Sequence, residues 1–194
     1  MPTTALYRLA GIAGALSALV ILTNTARRSG LVPANLFTRG IAPLAECFGL
    51  LALTGLYLLQ RRESGTLGAV GYALNTIGLA GTLGIDVVTN YVLPYLRPAD
   101  ATALLAGTTG QMFRITSVVF LLGVLIFAIA TWRARRLPAV AMALYVVGLV
   151  PVALRTVLPA PVASVGLVIT AVATTWLASA LWTFASRPGE EATA

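Results

Sequence analysis

Four ionisable side chains lie inside or at the edge of long apolar runs: Glu46, Asp86, Arg114 and Arg155. Asn90 follows Asp86 by one helical turn. Two carboxylates and two guanidiniums in such surroundings have a short menu of chemistry. They can neutralise one another as ion pairs, hold a polar or charged guest, or relay a proton. A charge at the centre of a membrane helix costs about 2.5–3.5 kcal/mol on insertion scales, so each must pair or face a wet cavity. The planar arginine fork can clamp a carboxylate through two hydrogen bonds, which makes Arg114 and Arg155 the expected partners of Asp86. Glu46 and Asp86 could also form a general acid/base pair, but no nucleophile or electrophile accompanies them.

Absences exclude most other chemistry. The chain has no His, which removes Ser-His-Asp and Cys-His catalysis and His-ligated metals or haem. All thirteen basic residues are Arg, so no lysine can form a Schiff base or serve a phosphate-binding loop. A single cysteine, Cys47, forbids an intrachain disulfide and reads as a small buried hydrophobe. No catalytic residue, metal site or cofactor site is therefore assigned.

The elements that must position the charges follow from composition. Hydrophobic residues make up 58% of the 194 and charged residues 10%, against about 45–50% and about 25% in an ordinary soluble domain. The apolar residues come in runs near 20 long, the length that crosses a hydrocarbon core about 30 Å thick. The expected fold is all-α, a one-domain integral membrane bundle of six transmembrane helices. The spans are placed at residues 5–25, 41–59, 67–93, 111–132, 137–158 and 162–185, with a disordered polar tail at 187–194. A net charge of +7 would point to nucleic acid in a soluble protein. Here the arginines flank the spans and no basic stripe with interleaved aromatics appears, so nucleic acid is not expected as a partner.

Threading six spans puts the start of the second, the end of the third, the start of the fourth and the end of the fifth on one side. Glu46, Asp86, Arg114 and Arg155 then share one leaflet, and Asn24, Asn90 and Gln111 reach the same level. An even number of spans also places both termini together. Arg8, Arg61, Arg62, Arg133, Arg135, Arg136 and Arg187 fall on that side, against Arg27, Arg28, Arg39 and Arg97 on the other. The positive-inside rule makes the first side cytoplasmic.

Local patterns add detail. Gly71, Asn75, Gly78, Thr82, Asp86 and Asn90 recur at steps of three and four and form one small, polar stripe facing inward. Thr108 with Gln111 three residues on has the capping-box pattern, which would start the fourth span. Tyr7, Tyr57, Trp132 and Trp182 sit at interfacial positions, and Trp176 is expected to pack between helices.

The C-terminal third, "LLGVLIFAIATWRARRLPAVAMALYVVGLV" then "ASVGLVITAVATTWLASALW", resembles small bacterial membrane proteins of unknown function, especially actinobacterial ones. The opening "YRLAGIAGAL" fits the same broad group. The resemblance implies a multi-pass protein of the bacterial inner membrane and assigns no activity or site residue. The residues support three readings. In the first, Glu46, Asp86, Asn90, Arg114 and Arg155 form a binding or transport-related site for a small molecule or proton. In the second, the charges only fasten the bundle of a structural or accessory subunit, and no cavity adjoins them. The third is an intramembrane enzyme, which needs a water-accessible pocket with an unpaired acid.

Overall fold

The computed structural model describes residues 3–154 and 158–186. The tail expected at 187–194 and Arg155 lie outside them. Among the described residues the fold is all-helical. α1 (Thr3–Arg28) is followed by the short α2 (Leu36–Gly40) and the long α3 (Leu44–Val87). α4 (Pro98–Ala106), α5 (Thr108–Ala134), α6 (Ala139–Ala153) and α7 (Ala160–Ala185) complete the order.

α3 is not one rod. Gly65 interrupts it with φ 53° and ψ −147°, a conformation in which a side chain is strained. Tyr57 and Tyr72 stack with ring centroids 4.4 Å apart, and Thr54 Oγ1 lies 3.1 Å from the Tyr72 hydroxyl. A straight helix would separate residues 57 and 72 by about 22 Å at its 1.5 Å rise. The chain therefore doubles back at Gly65. The arms, residues 44–64 and 66–87, cover the second and third apolar runs.

The packing order closes a ring. The first arm of α3 lies against α1, where Ser17 donates to the Ala45 carbonyl at 2.8 Å. α1 packs on α7, α7 on α6, α6 on α5, and α5 on the second arm of α3. At the last crossing the backbones come very close. A Cβ on Gly71 would stand 2.6 Å from the Phe127 backbone nitrogen, one on Gly123 2.3 Å from that of Asn75, and one on Gly78 2.4 Å from the Phe120 Cα. Glycine at these positions is what lets the two backbones approach. Gly71, Asn75, Gly78, Asp86 and Asn90 of the polar stripe are buried.

Large apolar side chains face outward on every long segment: Leu19, Leu51, Ile77, Val118, Val147 and Val165 are all more than half exposed. Among the described residues, four stretches are long and apolar enough to cross a membrane: Thr4–Arg28, Leu36–Tyr95, Thr108–Ala134 and Ala160–Ala185. α6 is shorter than the span read from sequence. It has 15 residues, about 22 Å at the helical rise, and carries Pro151 inside. At the end holding the chain terminus, Gln60 Nε2 donates to Thr131 Oγ1 at 2.7 Å between two buried side chains. Nearby, Arg136 pairs with Glu63 and ties the hairpin turn to the α5–α6 connection.

Two local expectations are corrected. α5 begins at Thr108 with Gly107 as its N-cap and no side-chain cap, so the Thr108–Gln111 pattern is not a capping box. A capping box does form between Asn35 and Thr38 at the start of α2. Trp176 is 43% exposed and points away from the core rather than between helices. It follows Thr175, which faces outward on α7, whereas the buried face runs through Thr170, Ala173 and Leu177.

Candidate functional site

The sequence-predicted charges divide into two neighbouring places at one end of the ring. Asp86 lies on the second arm of α3 and is 3% exposed. Its carboxylate meets Arg28, whose Nη2 stands 3.5 Å from Oδ1. Arg28 was read from sequence as part of the connection after the first span. α1 instead stays helical through Arg28, one turn beyond the apolar run, and this carries the guanidinium back to Asp86. Arg114 is exposed and makes no ion pair or side-chain hydrogen bond among the described residues. The expected Asp86–Arg114 clamp is thus corrected, and Arg155 is not placed.

Around this pair lies a second set of bonds. Asn90 is 1% exposed and sits in a π-helical turn, Val88–Val92, that relaxes the helix before Pro94. Its Nδ2 donates to the Asp86 carbonyl at 2.8 Å. Its Oδ1 accepts from Arg27 Nη2 at 2.6 Å, and the same nitrogen donates to Asn24 Oδ1. Asn24, Arg27 and Arg28 of α1, Asp86 of α3 and Asn90 of the π-helical turn after it therefore form one polar layer. Sequence reasoning missed Arg27 and Arg28 because hydropathy ended the first span at Thr25.

Glu46 stands in a different setting. It lines a cavity of ≈ 90 Å³ at the centre of the ring. The wall is mostly apolar, with Leu53, Leu79, Phe120, Leu149 and Leu177 among its side chains. Polar atoms come from Ser17, Thr82, Tyr145, Thr170 and Thr174. The hydroxyls of Ser17, Thr82 and Thr170 donate to backbone carbonyls, so they present oxygen rather than hydrogen to the interior. Glu46 is the one charged side chain in that wall among the described residues. A space of this size holds several waters or a slender apolar group.

The layer and the cavity are in register. Leu79 and Thr82 line the cavity, Asp86 belongs to the polar layer, and Thr89 and Leu93 line a crevice beyond it. The same order on α1 runs Ser17, Ile21, Asn24, Arg28. Both series advance by three and four residues, so a single face of each helix passes from cavity through layer to crevice.

No known protein family matches the chain, and no curated protein or solved structure does so either. The site is therefore read from its own chemistry.

Proposed function

We propose that this chain is a multi-pass protein of a bacterial plasma membrane that binds, and takes part in moving, a small largely apolar molecule or ion through the cavity beside Glu46. Six crossings are counted in this reading: α1, the two arms of α3, α5, α6 and α7. The apolar exterior supports it, since lipid is the surroundings in which exposed leucines and valines carry no penalty. The arginine bias of the connections supports a cytoplasmic side for both termini.

The observation that carries the functional reading is the cavity itself. A charge network that serves only to fasten helices has no need of an open volume with a carboxylate in its wall. A carboxylate offers about four lone-pair positions, so Glu46 can accept from a guest while keeping another partner. The fitting guest has an apolar body and a donor or cationic end. Asp86, held by Arg28, belongs to the framework in this account, while Glu46 belongs to the site. The alternative, an accessory subunit with a purely structural cluster, leaves the cavity without a role.

Native mass spectrometry of protein released directly from membranes tests the reading. Wild type is expected to carry a bound mass that Thr174→Phe, which fills the cavity, lacks while keeping its unfolding temperature. Identical spectra for the two proteins would favour the structural alternative.

A further inference from the structure

We infer that the crevice beyond the polar layer is an oxyanion site, built to hold the phosphate of an anionic lipid headgroup or a free phosphate. The crevice has a volume of ≈ 360 Å³, within the range of about 300–1,000 Å³ typical of ligand pockets. Its walls come from the end of α1, the end of the α3 hairpin, α4 and the start of α5.

Two guanidiniums from different helices, Arg28 and Arg114, line the same volume. Arg28 spends one nitrogen on Asp86 at 3.5 Å, and a guanidinium has five N–H donors. Arg114 has no carboxylate or other hydrogen-bond partner among the described residues. Positive charge is also in local excess. Of the groups acting on Arg27, Arg28 and Arg39 repel it and Asp86 attracts it. A phosphate between Arg28 and Arg114 would relieve that repulsion and accept from both forks.

One further feature of the walls fits a phosphate. Gly110, in the first turn of α5, is part of the lining, and that helix starts without a side-chain cap. The positive end of its dipole favours an anion there, in part offset by the Leu105 carbonyl of α4 that stands against Gly110. Thr89 contributes no donor, because its hydroxyl already donates to the Ile85 carbonyl at 2.7 Å. Leu93, Leu105 and Phe113 make the rest apolar, as suits a headgroup followed by acyl carbons.

The site does not depend on the Glu46 cavity. Only its lipid form depends on the membrane placement proposed above. The test is thermal unfolding of the full chain in mild detergent, titrated separately with phosphatidylglycerol, phosphatidylcholine and inorganic phosphate. Phosphatidylglycerol is expected to raise the unfolding temperature more than phosphatidylcholine at equal mole fraction. Arg114→Ala, which removes an exposed side chain with no partner to orphan, is expected to weaken the apparent affinity at least tenfold while leaving the ligand-free unfolding temperature in place. A comparable response to inorganic phosphate, also lost in Arg114→Ala, assigns the site to a soluble anion. No response to phosphate alone assigns it to a headgroup. Equal effects of the two lipids with no effect of phosphate would overturn the proposal, as would an Arg114→Ala protein that binds as wild type does.

Discussion

Gly123→Val is expected to lower the unfolding free energy in mixed detergent micelles by about 3 kcal/mol or more, the upper end of ordinary overpacking costs. A Cβ at residue 123 would lie 2.3 Å from the Asn75 nitrogen and 2.6 Å from its Cα. Both are backbone atoms, so no side chain can swing aside to make room. The only relief is to part α5 from the second arm of α3, and that also loosens the contacts at Gly71 and Gly78. Gly84→Ala is the matched control. Its Cβ would meet nothing within 4 Å, and the position is exposed within the helical arm. Alanine there is expected to be neutral or to stabilise by roughly 0.5–1 kcal/mol through helix propensity alone. Equal losses for the two variants would contradict a packing origin and point to a general sensitivity of the hairpin.

Asp86→Asn is the second large effect, and its size follows from the exposure of the two partners. Removing one member of a fully buried pair costs about 3–5 kcal/mol, because the other charge is left stranded. Here the Arg28 side chain is 32% exposed and can recover water when its partner is neutralised. The expected loss is nearer the about 1.5–3 kcal/mol of a hydrogen bond to a charged group. The measurement is again unfolding in mixed micelles, with Arg28→Ala and the double variant completing a cycle. A coupling energy near zero would show that the two residues do not stabilise one another and would contradict the Asp86–Arg28 pairing. A positive coupling of the expected size keeps Asp86 in the framework.

Much of this arrangement is legible in the residues. Helix covers the apolar runs, with residues 155–157 outside the description and α6 ending at Ala153. The stripe from Gly71 to Asn90 announces its buried face by spacing alone, because residues three and four apart stack on one side of a helix. The inward direction of Asp86 follows from the same rule.

What spacing does not encode is which helix stands beside which. Glu46 and Asp86 lie near the same end of the bundle, yet one lines the central cavity and the other faces Arg28. Periodicity gives a side chain's face, not its neighbour. The end of a helix is equally hidden from hydropathy. Arg27 and Arg28 look like flanking charges, but the α1 ladder continues through them, and cations in a last turn suit the helix dipole. A single extra turn thus brings in the arginines that hold Asp86 and Asn90. The start of α5 shows the same limit, since Gly107 rather than Thr108 occupies the cap.

The central claim is that Glu46 faces a reachable cavity while Asp86 is locked in the framework. Labelling by dicyclohexylcarbodiimide in intact membranes tests it most directly. This apolar reagent adds to a carboxyl group and rearranges to a stable N-acylurea, which peptide mass spectrometry locates. Label is expected on Glu46 and not on Asp86, and Thr174→Phe is expected to slow the Glu46 reaction several-fold by filling the space through which the reagent arrives. Label on Asp86 with none on Glu46, or a Glu46 reaction unchanged by Thr174→Phe, would contradict the account.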